Sequence, residues 1–139
     1  MSAAEKPSIE ERRSRHRERY GYEVVERAGG RSHLVWQPPH DFENPMGLIH
    51  GGAVAVIIDD TAGMAVGSTL KERRALPTAS LRIDFLKGIR PGVRYECRGR
   101  VVRAGRRLAI SDAEIFSPDG ELMVRGTATY AMDPDDQPL

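Results

Sequence analysis

From Thr78 onward the chain alternates. Leu81, Ile83 and Phe85 are separated by Arg82 and Asp84. Val93, Tyr95, Cys97 and Val101 interleave with Arg94, Glu96, Arg98 and Arg100, and Leu122, Val124, Ala128 and Tyr130 with Met123, Arg125, Thr127 and Thr129. A period of two places one kind of side chain on each face, so these segments predict strands with one buried and one wet face. Leu108 to Phe116 predicts a further strand, with a slip in alternation near Asp112 that reads as a bulge. Turn residues lie between the strands: Arg90-Pro91-Gly92, Ala104-Gly105-Arg106 and Ser117-Pro118-Asp119-Gly120. Upstream, residues 20–37 predict two short strands around Ala28-Gly29-Gly30, followed by a Pro-containing loop to Gly47. The one long helical candidate spans Gly51 to about Leu70. Its first stretch, Ala53 to Ile58, is apolar on every side, which predicts a helix buried all round. Near the start, Ser8 followed by Glu11 forms a capping-box pattern for a short polar helix over residues 8–19. An apolar helix followed by four antiparallel strands predicts an α+β domain, with the sheet wrapped on the helix.

Composition narrows the class of protein. At 139 residues the chain suits one domain, and the balance of 21 basic and 20 acidic residues gives no case for nucleic acid or an anionic membrane. The longest apolar run is far short of a bilayer span, and the charged first residues lack a signal-peptide core, so a soluble cytoplasmic protein is expected. The single cysteine, Cys97, excludes an intrachain disulfide and reads as strand packing. Arg12, Arg13, Arg15, Arg17 and Arg19 crowd the first helix; they read as a solvated face, with an anion contact as the alternative. Residues 133–139 read as a loose acidic tail.

The chemistry gathers at the entrance and middle of the long helix. Asn44-Pro45-Met46-Gly47-Leu48-Ile49-His50-Gly51-Gly52 leads into it. The two glycines leave amide hydrogens accessible at the positive end of a helix, where a carbonyl turning into an oxyanion could be held. A sharp turn into a buried helix explains the same residues. Asp59 and Asp60 follow the apolar run, and an ionised carboxylate there is costly unless it is paired. Adjacent helical residues point about 100° apart, so the two need not share one environment. His16, His33 and His40 lack metal-ligand spacing, so no metal is expected.

The stretch from Asn44 to Gly63 resembles the signature of PaaI-type hotdog thioesterases. It has an Asn, a His-Gly-Gly six residues on, an Asp nine residues after the His and a small residue thirteen after it; here these are Asn44, His50-Gly51-Gly52, Asp59 and Gly63. The likeness extends over Thr78 to Leu86 and the later strands, about residues 20–131. It implies a hotdog fold over residues 20–132, with residues 1–19 as an extension. It also implies hydrolysis of an acyl-CoA thioester without a cofactor. Asp59 would be general base or nucleophile. The Gly51 amide and Asn44 would hold the thioester carbonyl, His50 would orient the site, and Thr78 would position water. Gly52 and Asp60, beside these, are grouped with substrate contacts; an acid at position 60 is a departure from the family pattern. The phosphates of CoA call for cations, and Lys87, Arg90, Arg106 and Arg107 at nearby turns are the candidates. Two other readings stay open: a hotdog hydratase or dehydratase, and a non-catalytic acyl-CoA-binding or regulatory domain.

Helix geometry adds an expectation about assembly. Gly51 and Asp59 are eight residues apart, roughly 12 Å along a helix axis at 1.5 Å per residue. A carbonyl held at Gly51 cannot also lie beside Asp59 of the same helix. Two helices antiparallel across a two-fold axis would bring Gly51 of one copy to Asp59 of the other, which predicts a homodimer or a dimer of dimers.

Overall fold

The computed structural model describes residues 4–132; the expected acidic tail lies outside the described residues. Helix α1 (Ile9–Tyr20) is followed by β1 (Tyr22–Ala28) and β2 (Arg31–Trp36), a 3-10 turn at His40–Phe42, then α2 (Gly51–Gly67). Strands β3 (Thr78–Phe85), β4 (Tyr95–Ala104), β5 (Leu108–Phe116) and β6 (Leu122–Ala131) follow. All six strands form one antiparallel sheet in the order β1-β2-β4-β5-β6-β3, with α2 lying across it. This is the hotdog arrangement that the resemblance implies.

The helix lies close because the sheet beneath it is lined by small residues. A β-carbon on Gly99 would sit 2.5 Å from the Thr61 carbonyl oxygen of α2, and one on Gly126 would sit 2.7 Å from an Ile58 methyl. At that contact the Ser32 hydroxyl donates to the Thr61 carbonyl at 2.6 Å, and the Thr61 hydroxyl donates to the Ile57 carbonyl at 2.6 Å. Both buried hydroxyls are therefore satisfied. Around them Leu34, Trp36, Ile57, Ile58, Cys97, Ile115 and Val124 are fully buried. An added side chain at position 99 would overpack this contact, a change that commonly costs about 1–3 kcal/mol.

Three expectations are corrected. The helix is not buried all round: Gly51 and Gly52 are exposed, and Ala55, Val56, Asp59, Asp60, Gly63, Met64 and Gly67 are partly exposed. These positions form one stripe of α2 that the sheet of the same chain does not cover. Nor does β3 have a buried face. It is the sheet edge, pairing only with β6, and Leu81 and Phe85 are 36% and 53% exposed. The alternation of β5 does not slip at Asp112: Ala109, Ser111, Ala113 and Ile115 are buried in strict order. The bulge is on the neighbouring strand, between Val101 and Arg103, and leaves Val102 56% exposed. The buried Ser111 interrupts the hydrophobic pattern without moving the register; its hydroxyl donates to the Arg100 carbonyl.

Candidate active site

The loop before α2 is held by Asn44. Its side-chain oxygen accepts from the Met46 and Leu48 amides at 2.9 and 3.1 Å, and its main-chain N–H donates to the Leu48 carbonyl at 2.7 Å. That use of the oxygen leaves the side-chain NH2 as the group able to donate elsewhere. Gly47 turns this loop with φ of +77°, a conformation that favours glycine. The Ile49 amide donates to the Ile89 carbonyl at 2.8 Å, which anchors the loop to the segment after β3. His50 takes the N-cap position without a side-chain capping bond and is exposed. The Ala53 and Val54 amides both donate to the His50 carbonyl. The Gly51 and Gly52 amides precede this ladder, at the positive end of the helix. Asn44 and Gly51 line a hollow of about 310 Å³ with Leu48, Phe85, Lys87 and Ile89.

Asp59 lies elsewhere. It is two turns further along α2 and lines a separate cavity of about 560 Å³ with Asp60, Gly63, Met64, Thr78 and Tyr130. The Thr78 hydroxyl is 2.9 and 3.1 Å from the two carboxylate oxygens of Asp59. The Tyr130 hydroxyl reaches the same residue, 2.7 Å from its main-chain oxygen and 2.9 Å from Oδ1. Two hydroxyl protons thus serve the carboxylate, which offsets the cost of placing it in a mostly apolar helix. Burial, and next the charge of Asp59, push the Tyr130 phenol above its ordinary value, so it remains a donor. Gly63 makes the approach possible, because a β-carbon there would sit 3.3 Å from the Tyr130 hydroxyl. The alternating pattern marks Tyr130 only as a buried strand residue; a buried phenol needing a partner was the available signal.

Asp60 lines the same cavity but turns toward the N-terminal helix. His16 Nε2 lies 2.5 Å from Asp60 Oδ2, and the Tyr22 hydroxyl donates to that oxygen at 2.9 Å. The hydrogen bond to Asp60 raises the His16 pKa against the opposing effect of burial. Burial and the Asp60 charge raise the Tyr22 phenol. The Tyr20 ring stacks on Phe42 at 4.8 Å, and the Trp36 indole donates to the Tyr20 carbonyl at 2.8 Å. So α1, expected as a solvated extension, docks beside the carboxylates, although none of its residues is fully buried.

The cationic candidates do not form one patch on a single chain. Lys87 and Arg90 stand at the Phe85 end of the sheet with Gly51, where Lys87 pairs with Glu121. Arg106 and Arg107 stand at the opposite end, where the Met132 amide donates to the Arg107 carbonyl next to the Leu108–Ala131 pair. A larger hollow, about 800 Å³, opens on the outer sheet face and is lined by none of the candidate residues. Among the described residues no cluster of three His, Cys, Asp or Glu could hold a metal ion, and no helix is long and apolar enough to cross a membrane.

One long helix lying across a six-stranded antiparallel sheet in this strand order makes the chain a hotdog protein. The chain belongs to the thioesterase superfamily, whose family model matches residues 46–124. It is 31% identical over 96 residues to the medium/long-chain acyl-CoA thioesterase YigI of Salmonella typhimurium, covering 60% of this chain and 61% of that one. The chain therefore spans about three fifths of that relative. A mutant of the phenylacetic acid degradation protein PaaI from Thermus thermophilus superposes with a TM-score of 0.76 at 24% identity, covering 86% of this chain and 99% of that one. A hypothetical thioesterase protein from Streptococcus pneumoniae, solved with coenzyme A, superposes with a TM-score of 0.76 at 23% identity over 86% of this chain and 92% of that one.

Proposed function

We propose that the protein hydrolyses acyl-CoA thioesters in sites built from two copies of the chain. The observation that carries this reading is the separation of the two half-sites: Asn44 and Gly51 line one hollow, Asp59 and Thr78 another. Contacts with β3 orient α2. Gly51 lies against Phe85 at one end of β3, and Asp59 against Thr78 at the other. Antiparallel pairing of the two exposed β3 edges would bring Phe85 of one copy to Thr78 of the second. Gly51 would thereby meet Asp59 of the second copy. The uncovered stripe of α2 and the exposed Leu81, Phe85 and Leu86 give such a pair an apolar surface to bury. The same pairing brings Lys87 and Arg90 of one copy toward Arg106 and Arg107 of the other, so four cations flank each mouth to meet the CoA phosphates.

Water held between Asp59 and Thr78 loses a proton to the Asp59 carboxylate as its oxygen attacks the thioester carbon. The carbonyl oxygen becomes an oxyanion and accepts from the Gly51 amide and the Asn44 NH2 of the other copy. Collapse breaks the C–S bond; the CoA sulfur leaves as thiolate and takes up a proton, and the acid is released. Gly52 adds a second amide at the helix start. His50, exposed at the N-cap, shapes that turn through its carbonyl rather than touching the reacting atoms. Asp60 acts on the site by holding α1 and Tyr22 in place.

The test is thiol release from a panel of acyl-CoAs. Asp59→Asn should lower kcat by about 10²–10⁴, the usual cost of losing a general base, with the fold retained by circular dichroism. Asp60→Asn should cost far less. Acyl-CoA binding without thiol release by the wild type would favour a binding module instead.

A further inference from the structure

The cavity beside Asp59 has a second feature that thioester hydrolysis does not use. It continues along α2 past Gly63 and Gly67, walled by Met64, Leu70 and Leu76, and α1 forms one side of it. At its far end the Arg27 guanidinium occupies the space where a β-carbon on residue 67 would lie. Arg13, Arg17 and Arg73 line the same cavity. Glu10 bridges Arg13 and Arg73 from the exposed side. Burial, then the charges of Arg73, Arg13 and Arg17, push the Arg27 pKa down. Arg13, Arg17 and Arg27 are partly buried and Arg73 is exposed. Glu10 balances Arg13 and Arg73, and an anion at Arg27 would relieve the repulsion that remains.

We propose that this cavity binds the acyl group of a thioester whose far end carries a carboxylate, with Arg27 and its neighbours as the counter-charge. The proposal rests on the hydrolase reading above and deepens it. Distance sets the cargo. Gly67 is eight residues beyond Asp59, roughly 12 Å along α2. An extended chain advances about 1.2 Å per bond, from 3.3–3.6 Å per three-bond residue, so about ten bonds span the gap. Along the α2 side the wall between is Gly63, Met64, Leu70 and Leu76, which suits methylenes, while the polar residues of the cavity, Asp60 and His16 among them, are already paired with one another. This gives α1 a role: His16 on Asp60 and Glu10 on Arg73 hold the arginine-rich helix against the cavity.

The experiment compares decanedioyl-CoA, a ten-carbon chain ending in carboxylate, with decanoyl-CoA of equal length. The wild type should favour the former in kcat/KM by about tenfold or more, as expected for charge-assisted bidentate pairing. Arg27→Gln should collapse that ratio toward one, and Arg73→Gln should lower it by a smaller factor, with the fold and the docking of α1 checked by circular dichroism and hydrogen exchange of residues 9–20. The same pair of acyl groups on pantetheine, which lacks the nucleotide phosphates, should show the same ratio. If the cluster instead serves the CoA phosphates, both substitutions will weaken both CoA substrates alike and leave the ratio unchanged; that overturns the proposal, as does a wild-type ratio near one. If no thioester is hydrolysed, the hydrolase reading fails separately. Calorimetry of decanedioyl-CoA and decanoyl-CoA binding to wild type and Arg27→Gln then decides the proposal by the same ratio.

Discussion

Two inactive variants should restore one another when mixed. Asn44→Asp keeps the side-chain oxygen that the Met46 and Leu48 amides need, yet removes the NH2 that would donate to the oxyanion. Asp59→Asn keeps the shape of the acid but removes the base. Loss of an oxyanion donor costs about 10²–10³ in kcat, and loss of a general base about 10²–10⁴, so each variant alone should retain on the order of 1% or less. Gly51 and Asp59 stand roughly 12 Å apart along one helix, and the two residues line different hollows. If each site takes one half from each copy, a mixed dimer holds one site with both residues intact and one with neither. Unfolding, mixing in equal amounts and refolding makes about half the dimers mixed, and each has one working site of two. About a quarter of wild-type activity should return, well above either background. A dimer of dimers gives the same fraction. The assay is thiol release alongside native mass spectrometry of the mixture. Mixed dimers present with no recovered activity would show that Asn44 and Asp59 act within one chain, and the two-copy site would have to be abandoned.

Tyr130→Phe should lower kcat by about tenfold while costing about 1–2 kcal/mol in urea unfolding, because it strips a buried hydroxyl from both the carbonyl and the carboxylate of Asp59. Wild-type turnover in this variant would mean that Thr78 alone positions the carboxylate. For α1, protection should fall as pH rises. The folded pKa of His16 lies above its unfolded value of about 6.5, so the His16–Asp60 contribution is complete below that pH and lost on rising through the folded value. Hydrogen exchange of residues 9–20 should therefore be slower at about pH 6 than at about pH 9 after correction for intrinsic rates, and His16→Gln should remove the difference. A difference that persists in His16→Gln would place its origin in another group.

Local pattern alone determined much of this protein. The Ser8–Glu11 capping box forms as its spacing predicts, with the Ser8 hydroxyl on the Glu11 amide and the Glu11 carboxylate on the Ser8 amide. The helix starts at Gly51, directly after His50, and the period-two segments become strands β3 to β6. Each of these depends on residues a few positions apart, so a window of sequence contains the whole cause. The end of α2 was less legible: it stops at Gly67, where the Ser68 and Thr69 hydroxyls donate to main-chain carbonyls of the last turn. Which face a residue shows was legible in β4 and β6, where Tyr95, Cys97, Val124, Ala128 and Tyr130 are buried as the alternation predicts, but not in β3. Alternation in β3 looked like that of a half-buried strand, and only the strand order, which puts β3 at the edge, exposes Leu81 and Phe85. The same holds for the acids. Asp59 and Asp60 are neighbours in sequence, yet one meets Thr78 and Tyr130, 19 and 71 positions away, and the other meets His16 and Tyr22, 44 and 38 positions away. Neighbours on a helix point about 100° apart, and what each direction meets is set by how the sheet closes around α2. Long-range pairing supplied the partners, and with them the distinction between the carboxylate bonded to Thr78 and Tyr130 and the one that fastens the N-terminal helix.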